Sequence, residues 1–456
     1  MPNNYVLLER IELNASATSV TFANIPQTGY TDLKIVVSAR GTVGGSWNDV
    51  TAKFNSSTTG YTQRYVYGTG SAAASNTGGY SAAYAGHAAG SGTTANTFGN
   101  FEMYIPNHTG SNAKSFSFDS VTENNATSSL AMLGASLWSG TGAITNIVFE
   151  LPGGSFVTGS TFSLYGIAAL GTTPTIAPKA SGGNRIDNDG TYWYHTFTSS
   201  GTFTPQVGLT ADCLVIAGGG SGGGQYAGGG GAGGVVYDGS RSLTTIGYTT
   251  TIGGGGAALS SSAANGNTGT NTSFDTLVAN GGGGGGSWNG TGANGLTGGS
   301  GGGGSMGTSS GNTTSGGTAT QGVSTGDIGY GSNGGGGLRS SVFLGGGGGG
   351  AGAVGVTATG TAAGNGGAGI NTYSSWLTAT GLGVSGFIAG GGGGGGEGSG
   401  VTRGAGGSGG GGQGGLAGGG SDATINTGSG GGGVGYNSTQ LSGAGASGLV
   451  IIRYPI

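Results

Sequence analysis

The chain has 456 residues, 120 of them glycine, a formal charge of −4, and 6% charged residues, against about a quarter in an ordinary soluble domain. Its twelve Lys and Arg are spread thinly and form no basic stripe, which argues against nucleic acid as a partner. Cys213 is the single cysteine, so an intrachain disulfide framework is excluded, and its apolar surroundings read as those of a buried, inert thiol.

Met1–Arg10 lacks a basic segment followed by a long apolar core and is not a secretory signal. No apolar stretch reaches the roughly 18 residues of a membrane helix, so no membrane insertion is expected. Alternating or apolar runs predict strands at Tyr5–Leu13, Ser19–Phe22, Leu33–Ala39, Tyr61–Tyr67, Phe98–Ile105, Ser115–Val121, Ala131–Leu137, Ile144–Phe149 and Phe162–Ile167. With turn residues between them and no helical period, they indicate an all-β, antiparallel, jelly-roll-like sandwich over residues 1–171. The small, polar stretch Gly68–Thr97 reads as a long loop, and residues 172–190, opening on Thr172–Pro178, as a linker.

Glycine divides the chain: 22 of the 120 fall in the first 180 residues and 98 in the last 276. A second strand group follows the linker, at Tyr192–Phe197, Gly201–Thr204, Asp212–Ala217, Gly233–Tyr237, Tyr248–Ile252, Ser273–Ala279 and Leu449–Tyr454, forming a small β-scaffold. Twelve runs of three or more glycines lie between Gly218 and Gly433, without a G-X-Y period. A flexible spacer would be polar throughout, yet these runs alternate with apolar segments such as Val342-Phe343-Leu344 and Phe387-Ile388. Polyproline II helices suit such runs. They have three residues per turn, about 3.1 Å rise and sideways-pointing backbone groups, so packed side by side they can satisfy one another's N–H and C=O. Residues 191–456 therefore read as a glycine-rich domain of packed polyproline II helices growing from the scaffold.

Several motifs carry no weight. Cys213–Gly224 satisfies G-x-G-x-x-G, but no amphipathic helix follows. Gly-Lys-Ser/Thr is absent, since no lysine follows Lys179. His87, His108 and His195 lie far apart in sequence, outside any zinc spacing, and Asp187-Asn188-Asp189-Gly190 lacks the downstream glutamate of a calcium loop. No cofactor or metal is expected.

Phe197–Pro205, Cys213–Gly220, Gly228–Tyr237 and the closing Gly448–Tyr454 resemble the glycine-rich domain of bacteriophage tail-fibre and other virion appendage proteins. Ile147–Glu150 with Phe156–Ile167 is similar to the end of β-sandwich modules in fibre proteins of marine and cyanobacterial phages. The resemblance implies a virion protein, released without a secretion signal, that attaches to a host-surface glycan or outer-membrane protein. It also implies a homotrimer contacting other virion proteins, with polyglycine helices displaying variable loops as in the distal adhesins of T-even-like phages. The loops expected here are Ala257–Thr272, Ser287–Leu296, Ser305–Asn333, Ile370–Thr380 and Ser421–Thr427. Their aromatics and amides, Trp288, Asn289, Tyr330, Tyr373 and Trp376, are the candidate receptor-binding residues, because flat rings stack on sugars while amides bond hydroxyls. The same aromatics equally suit capping of the bundle or packing between protomers.

Other readings remain alongside. A capsid-decorating protein needs no receptor site, and a secreted matrix protein resembling the glycine-rich domain of some animal receptor kinases would share the composition. A capsule depolymerase would need two acids, sought among Glu102, Asp119, Glu123 and Glu150, but nothing in their spacing selects a pair, and the protein is expected not to be an enzyme.

Overall fold

The computed structural model describes residues 5–123, 129–169, 177–259, 264–288, 293–322, 327–416, 418–436 and 441–456. The chain forms two units, one of residues 1–179, 184–193 and 456, the other of 180–183 and 194–455. As the composition predicts, both are β-rich.

The first unit carries β1 (Tyr5–Glu12), β2 (Ser19–Phe22), β3 (Tyr30–Ala39), β4 (Trp47–Phe54), β5 (Tyr61–Gly68), β6 (Ala73–Tyr80), β7 (Ala83–Ala89), β8 (Gly99–Ile105), β9 (Lys114–Val121), β10 (Ala131–Trp138), β11 (Ile147–Glu150) and β12 (Thr161–Ala168). β13 (Ala180–Ser181) belongs to the second unit, and β14 (Arg185–Asn188) returns to the first. One sheet contains β1-β12-β3-β8 and the other β2-β11-β4-β7. This is the wrap of an eight-stranded jelly roll. Two inserted hairpins, β5–β6 and β9–β10, extend the first sheet as β8-β9-β10-β5-β6, and β14 borders β1.

Aromatic rings fill the space between the sheets. Phe149 lies 6.1 Å from Phe22, 6.0 Å from Phe101 and 5.6 Å from Phe162, centroid to centroid, and all four are buried. Burying one such side chain is worth about 1.5–3 kcal/mol. In β10 the inward positions are Met132, Gly134, Ser136 and Trp138, while Leu133 and Leu137 face out. Gly134 leaves room for a ring: a methyl there would lie 2.2 Å from Phe118 Cζ.

Two expectations fail in this unit. Gly68–Thr97 is not a long loop, since it holds β6 and β7. β6 (AASNTGGY) is almost wholly exposed, and β7 (AYAGHAA) wholly buried, so neither shows the two-residue alternation by which half-buried strands are read. Residues 177–190 are not a plain spacer either, because β13 and β14 lie there; 170–176 fall outside the described residues. In β14, Arg185 bonds the Glu9 carboxylate at 2.7 Å and both Asp187 oxygens at 2.8 Å in the interior. Burial, then the facing Asp187 charge, raises the Glu9 carboxyl well above the usual range.

The second unit adds β15 (Tyr192–Phe197), β16 (Gly201–Pro205), β17 (Leu209–Ile216), β18 (Val235–Leu243), β19 (Tyr248–Thr251), β20 (Thr272–Phe274), β21 (Leu277–Ala279), β22 (Ile328–Tyr330), β23 (Leu338–Arg339), β24 (Phe343–Leu344), the helix α1 (Ser374–Thr380), β25 (Gly396–Glu397) and β26 (Leu449–Pro455). The scaffold consists of β22-β18-β17-β26-β15 and β13-β16-β19-β20-β21. Buried His195 spans it: Nδ1 donates to the Gly182 carbonyl at 2.7 Å, and Nε2 accepts from the Tyr454 hydroxyl at 2.9 Å. Desolvation holds this imidazole neutral, with its pKa lowered to about 4. No helix among the described residues is long and apolar enough to cross a membrane.

The glycine runs form the lattice, and their bonding has a period of three. In the run 228–234, the N–H groups of Gly228, Gly231 and Gly234 donate to Gly286, Gly283 and Asn280. Those of Gly229 and Ala232 donate to Gly346 and Gly349, and those of Gly230 and Gly233 to Gly431 and Gly428. The carbonyls of the same run, with that of the preceding Ala227, accept from Gly223, Gly220 and Ala217, from Gly303 and Ser300, and from Gly392 and, at Ala227, Gly395. One run is thus ringed by six others, and each backbone face meets a different neighbour every third residue, as three residues per turn requires. Glycine is needed for that approach: a methyl at Gly230 would sit 2.1 Å from the Gly220 carbonyl oxygen.

Candidate functional site

The path of the runs defines two ends of the lattice. After β17 the chain runs outward through Gly218–Gly224, turns at Gln225–Ala227, and returns through Gly228–Gly234 to β18. By the same alternation, residues 287–288, 305–315, 338–344, 397–403 and 435–436 lie at the far tip, and 298–300, 320–322, 327–330 and 370–388 at the scaffold end. The interior is backbone, so side-chain chemistry is concentrated at these turns.

At the tip, β23-β24-β25 form a small sheet. Trp288 lies here, half-buried, its N–H donating to Gln225 O at 2.9 Å. The Arg339 guanidinium sits 5.6 Å from the Trp288 ring and 5.5 Å from Phe343, steered by a 2.7 Å bond to Thr308 O. Phe343 packs 4.9 Å from Tyr226, which stacks 5.4 Å from Tyr436 at 22°. Tyr436 is 47% exposed. Tyr226 holds φ 43°, a left-handed conformation costing a non-glycine residue about 1–2 kcal/mol, and such strain gathers at functional sites. Burial, then the nearby Glu397 carboxylate, raises its hydroxyl pKa. The patch offers flat ring faces, a planar cation over two of them and a carboxylate at its border.

Tyr330, Tyr373 and Trp376 lie at the opposite end and come together. Their partners are Tyr194, Tyr237 and Arg453: Trp376 is 5.6 Å from Tyr373, 6.0 Å from Tyr237 and 6.2 Å from Tyr194, and the Tyr330 and Tyr373 hydroxyls are 3.2 Å apart. Arg453, paired with Asp212 at 2.9 Å, sits 4.2 Å from the Trp376 ring. Trp376 is 3% and Tyr373 7% exposed, so these rings cap the scaffold end and present little face to a ligand. Tyr330 ends β22, while Tyr373 precedes and Trp376 sits on α1, in the segment Ile370–Thr380 expected as a loop, with Gly381 closing the helix at φ 65°. Asn289 lies outside the described residues. Trp288 alone of the sequence-chosen aromatics stands at the tip, where it joins Tyr226, Arg339, Phe343 and Tyr436, none of which the sequence singled out. The signal available was the parity of the runs, since a segment after an outward run turns at the tip.

Much of the amide content expected to contact sugars bonds the lattice itself. The side-chain carbonyls of Asn265, Asn271, Asn294, Asn333 and Asn365 accept from the backbone N–H of Ser287, Gly281, Ser315, Ala319 and Ala405 at 2.7–3.0 Å. At the periphery, where no further run lies alongside, an asparagine supplies the missing acceptor, the counterpart of a helix cap. Parts of the expected loops Ala257–Thr272 and Ser305–Asn333 are themselves lattice: Gly269 N–H donates to Gly282 and Gly317 N–H to Gly302. Of the acids weighed for hydrolysis, Glu102 pairs with Lys34 at 2.8 Å and Glu150 with Lys53 at 2.6 Å, while Asp119 faces Glu102 across β8 and β9.

No curated protein and no solved structure matches the chain. The family model of the glycine-rich domain matches residues 196–455, over half of the sequence and the very segment that holds the scaffold and lattice; the chain belongs to that glycine-rich domain family.

Proposed function

We propose that the protein is a non-enzymatic bacteriophage virion fibre or adhesin, attaching the particle to a host-surface glycan or outer-membrane protein. The observation that carries this reading is the tip patch. A lattice with a backbone interior holds its turns rigidly, and one end gathers Trp288, Arg339, Phe343, Tyr226 and the exposed Tyr436. Aromatic and arginine side chains dominate binding hot spots, and a preorganised site loses less freedom on binding. The resemblance of the strand-and-glycine segments to phage appendage proteins supports the virion setting, the homotrimer and contacts with other virion proteins.

The test is attachment of the purified protein to a panel of marine bacterial strains, followed by flow cytometry. Saturable binding that falls about tenfold or more in Trp288→Ala and Tyr436→Ala, with unfolding temperature unchanged, is the expected result. A well-folded wild type that binds no strain would overturn attachment and favour a decorating role on the capsid.

A further inference from the structure

The jelly-roll unit holds a second surface built for a ligand, a cleft of about 560 Å³ between β4, the β5–β6 hairpin and β7. Tyrosines form its wall. Tyr65 and Tyr84 stack with centroids 5.4 Å apart at 17°, and Tyr80, 44% exposed, lies at its mouth. Trp47 also lines the cleft and packs edge-on against His87.

The polar groups are set by bonds behind the wall. Asp49 Oδ1 accepts from the Tyr84 hydroxyl at 2.8 Å and lies 3.4 Å from His87 Nε2, so the carboxylate is oriented although its side chain is 60% exposed. The His87 hydrogen bond lowers its pKa. Among the described residues, Asp49 Oδ2 has no partner. Gln63 is 3% exposed and gives its side-chain carbonyl to the Tyr84 N–H at 3.0 Å. Its amide nitrogen has no protein partner among the described residues and keeps contact with solvent. The cleft therefore keeps a donor, Gln63 Nε2, and an acceptor, Asp49 Oδ2, unspent beside flat ring faces.

Among the described residues, no lysine or arginine lines the cleft, and Asp49 is its one charged residue. That charge disfavours phosphate, sulfate and uronic acid. Ring faces with an adjacent donor and acceptor fit a sugar, whose C–H face stacks while its hydroxyls both give and accept. We infer that this cleft binds a neutral glycan, stacked on the tyrosine wall and bonded by Asp49 and Gln63. The site is separate from the lattice tip and does not depend on the attachment reading.

The experiment is an array of neutral and uronic-acid-containing oligosaccharides probed with the full chain, then calorimetric titration of the strongest neutral member. Binding of neutral oligosaccharides is expected, weakened about tenfold by Tyr80→Ala. Because Tyr80 is exposed, that variant should keep its unfolding temperature. Asp49→Asn should weaken neutral binding and raise binding of the acidic members, a shift that loss of structure would not produce. Absence of neutral binding, preference for acidic oligosaccharides in the wild type, or affinity unmoved by both substitutions would overturn the assignment. Oligosaccharide binding by a protein that attaches to no cell would remove the adhesin reading and leave this one standing.

Discussion

The jelly roll and the glycine lattice solve the same problem with opposite materials. In the first, side chains fill the interior: Phe22, Phe54, Phe149 and Phe162 are fully buried, and the backbone is satisfied within ordinary sheets. In the second, the interior is backbone, with glycine amides bonding sideways to six neighbours and almost no side chain between them. One draws on apolar area removed from water, the other on hydrogen bonds packed so closely that a Cβ has no place. The difference teaches where each is vulnerable, since a jelly roll suffers from lost volume and the lattice from added volume.

Substitutions that add or remove atoms test this directly. Gly230→Ala places a methyl 2.1 Å from a backbone oxygen that cannot swing aside, and we expect a loss of about 4 kcal/mol or more in the lattice. Gly254→Ala, in the same lattice but with its nearest atom, Thr270 Oγ1, at 4.0 Å, should change stability by no more than about 0.5 kcal/mol. Equal effects in calorimetry would refute close packing as the reason for glycine. Phe149→Ala, the converse, should cost about 3–5 kcal/mol through the cavity it leaves and shift the jelly-roll transition; movement of both transitions together would show the units to be energetically coupled.

Acidity separates the units next. His195 has a folded pKa of about 4 against an ordinary 6.5, so its contribution is present above 6.5 and lost as the pH falls toward 4. At pH 4.5 the lattice unit should lose about 2–3 kcal/mol from this group. Glu9 acts the other way: its raised carboxyl stabilises the jelly roll at low pH and loses that effect as the pH rises through the raised value. A calorimetric series from pH 7 to 4.5 in which the lattice transition does not fall would refute the assignment to His195. A smaller loss belongs to the edge: Asn333→Ala removes the acceptor for Ala319 N–H and should cost about 1 kcal/mol, with faster hydrogen exchange at Ala319 as the local readout.

Legibility in the sequence followed the same division. Strands such as β9, where Lys114–Val121 alternates in and out, announced themselves by period, and the runs announced the lattice because glycine at this density has few other uses. β6 and β7 escaped because one is almost wholly exposed and the other wholly buried. The candidate site was legible only in part. Trp288 and Trp376 look alike as isolated aromatics between glycines, yet one follows an outward run and the other an inward run, which puts them at opposite ends. The asparagines misled for a physical reason: an amide that suits a sugar hydroxyl suits an orphan peptide N–H equally well.

The period of three in the lattice carries a rule for length change. Inserting one or two residues within a run rotates every later N–H by one or two thirds of a turn, onto the wrong neighbour, so the interior tolerates insertions in triplets or none. At the tip turns, chain can be gained or lost without touching that register. A lineage of such proteins can therefore vary the chemistry of its tip by freely sized insertions while the bundle beneath stays locked in phase, which separates change at the turns from change in the fold.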